Sequence, residues 1–253
     1  MPARGGRIDQ LSRPRKFAED IRRISARDPV ILAIDDPLGD GVESTLRGLS
    51  EGGALNLKIG WMPILHGGLG ALSTAREIAG GGTVIADLKI ADVPHVSGAL
   101  ARTLLDAGAD AVIMHGFLGS DVVSSVLEAA GDGGVLVVAE TSNPGASLCY
   151  PGCSDAIAAM ARELGADGII APATRPDRIE SLRRAVGDEM VVISPGIGIQ
   201  GGEAIRAVSA GADMIVVGRS IMRSGSPGVE LERIRKEALD GLSLRRLKQL
   251  RDR

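Results

Sequence analysis

The stretch from residue 87 to residue 92 carries the side chains of this sequence that are best suited to chemistry. Asp87 and Lys89 lie two positions apart at the end of an apolar run, and Asp92 follows three positions later. Residues two apart in a β-strand face the same side, so we expect the Asp87 carboxylate and the Lys89 ammonium to point together. Charges in apolar surroundings are costly unless they pair or serve a reaction. The pattern alone leaves two hypotheses open, a structural ion pair and an acid–base site.

Short apolar runs, rich in β-branched residues, recur along the chain and predict the strands that would position these side chains. Near-continuous apolar runs are typical of strands buried on both faces, as in a parallel sheet covered by helices. The junctions between helix and strand repeat the pattern Gly-Ala-Asp at residues 108–110, 165–167 and 211–213, where we expect each glycine to close a helix in the left-handed conformation. The predicted strands span residues 30–34, 54–59, 83–88, 111–114, 135–139, 168–171, 190–193 and 214–217.

Eight such strands, alternating with eight predicted helices, indicate the α/β class and a closed (β/α)8 barrel, the TIM barrel. A doubly wound open sheet is the alternative architecture. We expect a single catalytic domain over residues 29–253, preceded over residues 1–28 by a basic extension and a helix near residues 15–26. The basic, helix-like pattern of residues 244–253 predicts the solvated end of the last helix.

Composition argues against several classes of protein. A formal net charge of −3 and only four aromatic residues make a nucleic-acid partner unexpected. The apolar runs are too short to cross a bilayer, so no membrane partner is expected either. Cys149 and Cys153 share one loop without a second pair of ligands, which predicts neither a disulfide framework nor a zinc site and favours the cytoplasm.

The histidines lack the spacing of metal ligands, so we expect no metal. We expect His66 at a helix start, His95 in the helix after Pro94, and His115 in a structural hydrogen-bonding role at a strand end. No serine lies in the sequence context of a nucleophile elbow, so a Ser-His-Asp hydrolase is not supported.

In a barrel of this kind, chemistry is expected at the carboxyl ends of the strands. Trp61 and Met62 follow the second strand, and we expect them to pack between barrel and helix. An alternating row of acids and lysines can hold one lysine protonated and oriented as a general acid. Charged or polar side chains recur at the predicted strand ends, namely Asp35, Lys58, Asp87, Lys89, His115, Glu140, Ser142 and Arg219.

The loops after the seventh and eighth strands are typical of a phosphate site. The glycines of residues 196–202 allow backbone N–H groups to face an anion, and Arg219 supplies a planar fork of donors. Residues 196–201 also match the dinucleotide pattern G-x-G-x-x-G. We reject that interpretation because the pattern follows the seventh strand, not the first, and too little chain remains to build a dinucleotide domain.

Taken in order, these motifs resemble the orotidine 5′-phosphate decarboxylase family, in particular its archaeal-type branch. The resemblance implies a carboxy-lyase of pyrimidine biosynthesis that converts orotidine 5′-phosphate to uridine 5′-phosphate without cofactor or metal, as a homodimer with shared active sites. It covers about residues 30–222 and rests on the segments 34–35, 57–60, 87–92, 115–117, 142–145, 194–202 and 217–220.

The resemblance also implies catalytic roles for five charged residues. Lys89 would protonate C6 of the pyrimidine once CO2 departs, and Asp87 would face the substrate carboxylate. Asp35 and Lys58 would complete the charged array and contact the ribose. Asp92 would reach across a dimer interface into the neighbouring subunit's site.

The remaining carried-over roles concern binding. Ser142 would read the pyrimidine edge, and Gln200 would bridge base and phosphate on a mobile closing loop. Arg219 and nearby backbone N–H groups would form the phosphate clamp. The other substrate-binding residues that the resemblance implies are Pro195, Gly198 and Gly218. Val96 departs from the family, whose members often carry there a Thr that helps hold the ribose, and Met222 replaces a frequent aromatic.

Two alternative functions would account for part of this pattern. A 3-keto-gulonate-6-phosphate decarboxylase or a hexulose-phosphate synthase would share the Asp-x-Lys-x-x-Asp element and the phosphate grip. The resemblance to those enzymes would, however, imply a Mg²⁺ site with an acidic residue at the position of Lys58. A catalytically silent barrel that binds a nucleotide or sugar phosphate would need only the phosphate grip and not the whole Asp/Lys set.

Overall fold

The structure is a closed barrel in which each parallel strand is hydrogen-bonded to the next and the last strand returns to the first. The computed structural model describes residues 16–148 and 150–251. This closure confirms the predicted (β/α)8 barrel and excludes the open sheet. The strands are Val30–Ile34 (β1), Leu57–Ile59 (β2), Val84–Ile90 (β3), Ala111–His115 (β4), Gly134–Val138 (β5), Gly168–Ile170 (β6), Val191–Pro195 (β7) and Met214–Val217 (β8).

Helices surround the barrel, and both β2 and β8 are followed by two of them, which the expected one-to-one alternation did not include. Short 3₁₀ turns follow β4 and β5, at Gly116–Leu118, Pro144–Leu148 and Tyr150–Gly152. The helices are Lys16–Ser25 (α1), Asp40–Ser50 (α2), Trp61–Gly67 (α3), Gly70–Ala79 (α4), Pro94–Asp106 (α5), Ser120–Ala130 (α6), Ser154–Glu163 (α7), Pro176–Val186 (α8), Ala204–Ser209 (α9), Arg219–Met222 (α10) and Pro227–Arg251 (α11).

The two chain ends differ in how they relate to this barrel. Helix α1 confirms the predicted N-terminal helix, and its Phe17, Ala18 and Ile21 are buried in the same core as the strands. A Cβ atom at Gly134 would lie 2.5 Å from the Phe17 ring, so the start of β5 needs glycine to admit α1. The end of α11 is exposed from residue 246 to residue 251, in agreement with the predicted solvated end, whereas Arg245 is partly buried and pairs with Asp213. Predicted features at residues 1–15, Cys149 and residues 252–253 lie outside the described residues.

The Gly-Ala-Asp junctions hold neighbouring strands together at the amino-terminal end of the barrel. Their glycines adopt the expected positive φ, +112°, +81° and +126°. Each aspartate also accepts a hydrogen bond from a backbone N–H near the start of the preceding strand, which sequence reasoning missed. The pairs are Asp110 with Val84 (2.8 Å), Asp167 with Val135 (2.9 Å) and Asp213 with Val192 (2.8 Å). This face of a barrel serves stability, and chemistry lies at the opposite face.

Candidate active site

A cavity of about 390 Å³ lies at the carboxyl ends of the strands. Apolar side chains from the strands, Ile113, Val138 and Ile170, line part of it. The structure places most of the predicted site residues in its lining, with Asp92 and Gly198 outside. Those that it brings together there are Asp35, Lys58, Asp87, Lys89, Ser142, Pro195, Gln200, Gly218 and Arg219.

Four of these residues form a row of alternating charge. Lys58 Nζ lies 2.8 Å from Asp87 Oδ2 and 3.2 Å from Asp35 Oδ1. Lys89 Nζ lies 2.8 and 2.9 Å from the two carboxylate oxygens of Asp87. The predicted pairing of Asp87 with Lys89 is therefore confirmed, and Asp87 is shared between two ammonium groups.

The backbone at Lys89 departs from regular strand geometry. Its φ is +47°, and Lys89 is the one non-glycine residue with positive φ among residues 16–148 and 150–251. The register between β3 and β4 also shifts between Ala86 and Ile90. A non-glycine residue held in this region costs on the order of 1 kcal/mol or more, and such strain clusters at functional sites. Simple strand alternation predicted the contact with Asp87 but not this conformation.

Burial and neighbouring charge shift the pKa values of Asp87 and Lys58, the two buried members of the row, in opposite directions. Burial pushes the pKa of Asp87 up, but the nearby Lys58 and Lys89 ammonium groups outweigh it and hold that pKa below its usual value. Burial likewise pushes the pKa of Lys58 down, but Asp87 and Asp35 outweigh it and the pKa is raised. Both groups are consequently charged at neutral pH.

His115 lies beside this row and does not line the cavity. Its Nδ1 lies 3.3 Å from the Tyr150 hydroxyl, and its ring centroid lies 4.8 Å from that of Phe117. These contacts agree with the predicted hydrogen-bonding role. Burial, followed by the Lys89 ammonium, lowers the pKa of His115, and Asp87 offsets part of that effect.

The loops that follow β7 and β8 form one side of the cavity, where Arg219 is open to a ligand. Arg219 begins α10 directly after Gly218, and its side chain is exposed. Within the described parts of the chain, its guanidinium has neither an ion pair nor a hydrogen bond to a protein acceptor. This leaves its full set of donors available to an anion.

Gly198 contributes to the shape of the loop and does not line the cavity. Its N–H donates to the Gly202 carbonyl oxygen (3.0 Å), and a Cβ atom at this position would lie 2.1 Å from Ser220 Oγ. Sequence reasoning did not single out Ser220, which lines the cavity and accepts a hydrogen bond from the Ile199 N–H (3.4 Å). Its position just after β8 was the available signal.

Ser142 and Gln200, which come from the loops after β5 and β7, meet across the cavity. The Ser142 hydroxyl donates to Gln200 Oε1 at 2.8 Å. Gly196 allows this approach, because a Cβ atom there would lie 3.1 Å from both Ser142 Cβ and Gln200 Oε1. Its φ of +109° is a second reason for glycine at this position.

Two expectations about side chains after β2 were wrong. Trp61 and Met62 are 52% and 41% exposed and line the cavity, whereas we expected them between barrel and helix. The reason is that α3 begins directly at Trp61 and presents its first turn to the cavity. His66 lies exposed in the last turn of α3 and not at a helix start, while His95 lies in α5 as predicted.

Asp92 lies outside the cavity, in the connection between β3 and α5. The buried Ser97 hydroxyl donates to the Asp92 carbonyl oxygen (2.8 Å) and accepts from the Asp92 N–H (3.2 Å). Ser97, the hydroxyl nearest to Val96, is therefore committed to holding this connection.

The described residues hold neither a cluster of metal ligands nor a membrane-spanning helix. Over residues 16–148 and 150–251, no group of three or more His, Cys, Asp or Glu side chains could hold a metal ion. In the same part of the chain, no helix is both long and apolar enough to cross a membrane.

Comparison with known proteins gives a consistent result. A curated orotidine 5′-phosphate decarboxylase of Methanosarcina mazei is 45% identical over 173 residues, 68% of this chain and 77% of the relative. The crystal structure of that enzyme from Pyrococcus horikoshii OT3 has a TM-score of 0.75 and 36% identity, and the match covers 83% of this chain and 98% of that one. The enzyme from Methanocaldococcus jannaschii, complexed with the inhibitor BMP, has a TM-score of 0.77 and 30% identity, with coverages of 84% and 99%.

The family model described as "Orotidine 5'-phosphate decarboxylase / HUMPS family" matches residues 28–234, which is most of the barrel. Relatives from archaea agree with the predicted branch. The charged row, the open arginine after β8 and these similarities lead to one conclusion: the chain belongs to the orotidine 5′-phosphate decarboxylase / HUMPS family.

Proposed function

We propose that this chain is a carboxy-lyase that converts orotidine 5′-phosphate to uridine 5′-phosphate in pyrimidine biosynthesis. The observation that carries the proposal is the row Asp35, Lys58, Asp87 and Lys89 in one cavity with the open Arg219. Relatives and structural neighbours named for this decarboxylase support it. A barrel that only bound a nucleotide would need the arginine but not the row.

Lys89 is the proposed proton donor. When the bond between C6 and the carboxylate breaks, CO2 leaves and the electron pair stays on C6, where the ring offers no electron sink. A fixed ammonium group stabilises this developing negative charge, and an N–H proton of Lys89 then passes to C6. The neutral amine afterwards regains a proton from solvent. The two hydrogen bonds to Asp87 support this role because they hold the Lys89 ammonium group in place.

Asp87 would face the substrate carboxylate while remaining ionised, as its lowered pKa indicates. The apolar side chains Ile113, Val138 and Ile170 line the same cavity and suit neutral CO2 better than a carboxylate. Asp35 and Lys58 would hold the ribose hydroxyls and keep Asp87 in position.

The other side of the cavity would bind the remainder of the substrate. Arg219 would clamp the 5′-phosphate together with backbone N–H groups near Gly218, with Gly198 giving the loop its shape. Ser142 would read the pyrimidine edge, and Gln200, with Pro195 at the base of its loop, would link base and phosphate. Phosphate binding energy can then serve to close the loop and exclude water from the reacting centre.

A metal-free reaction is part of the proposal. A Mg²⁺ site of the sister-enzyme type would have an acidic residue at the end of β2. In this chain, Lys58 occupies that position. Its ammonium group, already shared by two carboxylates, would repel a divalent cation. The sister activities are therefore not favoured.

We also propose a homodimer in which Asp92 completes the neighbouring subunit's site. Asp92 is exposed and lies outside the cavity of its own barrel. Large apolar side chains are exposed on the segments after β2, β3 and β4, which are neighbours around the barrel: Trp61, Leu65, Leu69, Val93, Leu100 and Phe117. Exposed apolar patches of this kind commonly mark protein interfaces.

The test is to offer the purified, chelator-treated protein orotidine 5′-phosphate and, separately, 3-keto-gulonate 6-phosphate and hexulose-phosphate substrates. We expect the absorbance of the orotate ring to change only with the first, without added metal. Turnover of a sugar phosphate that requires Mg²⁺ would contradict the proposal. The predicted cytoplasmic location belongs to the same proposal, and fractionation of the source cells tests it.

A further inference from the structure

We propose that Glu140 is a positioning residue that fixes Ser142 for recognition of the ligand's base, an inference that rests on the function proposed above. Glu140 follows β5 and is buried, with 3% of its surface exposed. It does not line the cavity, and the proposed reaction gives it no role. A buried carboxylate at the carboxyl end of a strand nevertheless requires an explanation, because its desolvation is costly.

Glu140 is held by partners from two other segments. Arg175 Nε donates to Oε1 at 2.9 Å, and Arg178 Nε donates to Oε2 at 2.9 Å. The Ser154 hydroxyl at the start of α7 donates to Oε2 at 3.0 Å. Arg178 also pairs with Asp155 (2.9 Å). One carboxylate thus joins the end of β5, the start of α7 and the start of α8.

The segment before α8 then holds the two residues that follow Glu140. Arg175, whose Nε binds Glu140, also donates from its terminal nitrogen to the Thr141 carbonyl oxygen. The Thr174 hydroxyl donates to the Ser142 carbonyl oxygen (3.3 Å). Two consecutive carbonyl groups of the β5 loop are therefore fixed by two consecutive residues of the β6 loop.

These contacts determine where the Ser142 hydroxyl lies. The Ser142 hydroxyl donates to Gln200 at 2.8 Å while the Ser142 backbone is held against Thr174. Gly196 lies beside both residues, since a Cβ atom added to it would lie 3.1 Å from Ser142 Cβ and 3.3 Å from Thr174 Cγ2. If Glu140 no longer anchored Arg175, the Thr141 carbonyl would lose its partner and the serine would shift. Among the described residues, the Arg219 side chain has no hydrogen bond or ion pair with Glu140, Thr174 or Arg175.

The barrel supplies a matched control at its opposite end. Asp213 is also a carboxylate held by two arginines, Arg183 and Arg245, and it accepts a backbone N–H. Asp213 lies at the amino-terminal end, away from the cavity. Glu140→Gln and Asp213→Asn therefore remove the same kind of charge from two similar networks, of which only the first adjoins Ser142.

The experiment measures the binding affinity of two ligands by the fluorescence of Trp61. Trp61 is the single tryptophan of the chain and lines the cavity. Uridine 5′-phosphate probes base, ribose and phosphate together, and ribose 5-phosphate probes ribose and phosphate without the base. We expect Glu140→Gln to weaken binding of uridine 5′-phosphate about tenfold, the order of one lost hydrogen bond, and to leave ribose 5-phosphate within about twofold. Asp213→Asn should lower the melting temperature and leave both affinities within about twofold.

A double-mutant cycle with Ser142→Ala tests whether Glu140 acts through the serine. We expect the double variant to bind uridine 5′-phosphate no more weakly than Ser142→Ala alone, because the positioned group is already gone. If Glu140→Gln does not fold, Arg175→Lys takes its place in both tests, since lysine keeps the charge but cannot contact both Glu140 and the Thr141 carbonyl.

Three outcomes would overturn the inference: equal losses for both ligands, unchanged affinity for uridine 5′-phosphate, or full additivity with Ser142→Ala. Each presumes a wild-type protein that turns over orotidine 5′-phosphate and binds its product. A wild type that does neither would instead reject the proposed function, so the two failures are distinguishable.

Discussion

At the scale of single residues, the site is defined by which charges have partners and which do not. Lys58, Asp87 and Lys89 satisfy one another in a continuous row, whereas Arg219 is open. This division suits a reaction in which the protein's charges stabilise a developing carbanion and the substrate brings the anion for the free arginine. Sequence spacing predicted which residues would meet. It could not predict the positive φ of Lys89, because that conformation depends on the irregular pairing of β3 with β4.

Replacing the open arginine should separate phosphate binding from the rest of the site. We expect Arg219→Ala to raise KM for orotidine 5′-phosphate by roughly ten- to hundredfold, the order expected from losing a charge-assisted hydrogen bond. Ribose 5-phosphate should no longer change the Trp61 fluorescence at concentrations that saturate the wild type. Arg246→Ala, at the exposed end of α11, is the control; an unchanged KM in Arg219→Ala would refute the phosphate role.

The lowered pKa of His115 predicts how the free energy of unfolding changes in mild acid. Burial and the Lys89 ammonium lower its pKa, so the folded state binds this proton less readily than the unfolded chain does. Stability linked to neutral His115 is therefore present above the unfolded pKa of about 6.5 and is lost as pH falls through the folded pKa. The gap in unfolding free energy between wild type and His115→Asn should shrink between pH 7.5 and pH 5.

Urea titrations at several pH values measure that gap. The exposed His95 provides the control variant His95→Asn, which keeps His115 and should follow the wild type's pH dependence. A gap between wild type and His115→Asn that stays constant, or widens in acid, would contradict the assigned direction.

At the scale of elements, apolar runs predicted all the strands because a doubly covered sheet leaves no polar face. The β1 and β8 bounds agree with prediction, and others differ by one to three residues at an end. The roles of Asp110, Asp167 and Asp213 could not be read from sequence, since each bonds to the preceding strand and the register between strands decides the partner. The same limit applied to Glu140, whose arginine partners are more than 30 positions away.

One of these aspartates gives a test of the junctions. Asp167 is buried and accepts the Val135 N–H at 2.9 Å, so Asp167→Ala would leave a buried donor without its acceptor. We expect a loss of about 1–3 kcal/mol in the free energy of unfolding, measured by urea titration, with kcat unchanged at a temperature where the variant is folded. Asp177→Ala, in the exposed first turn of α8, is the control. A loss of kcat without a loss of stability would show that the junction serves the site.

At the scale of the whole molecule, a closed barrel brings side chains from eight strands to one rim. This explains why the site could be assembled from motifs spread over most of the chain. The expected boundary after residue 28 would set α1 apart, although its side chains share the barrel's core. Helix α1 packs against the start of β5, at the end opposite the cavity. Assembly with a second chain is predicted from the resemblance, and Asp92 is exposed on the single chain next to the exposed Val93.

Mixed dimers test the shared site. Asp92→Asn and Lys89→Ala subunits should each be inactive alone. In an equal mixture, half of the dimers are mixed, and each mixed dimer restores one of its two sites. We therefore expect up to about a quarter of the activity of the same amount of wild-type protein. Native mass spectrometry verifies that mixed dimers form. Verified mixed dimers without activity would remove the role of Asp92 in the neighbouring site.

The central claim, that Lys89 delivers the proton in a decarboxylation of orotidine 5′-phosphate, is tested most directly by comparing the wild type with Lys89→Ala. The measurement is the absorbance change of orotidine 5′-phosphate in chelator-treated buffer, with Trp61 fluorescence recording product binding by the same samples. We predict that Lys89→Ala loses turnover while still binding uridine 5′-phosphate, and that Lys248→Ala on α11 keeps both. Turnover by Lys89→Ala at the wild-type rate would contradict the account.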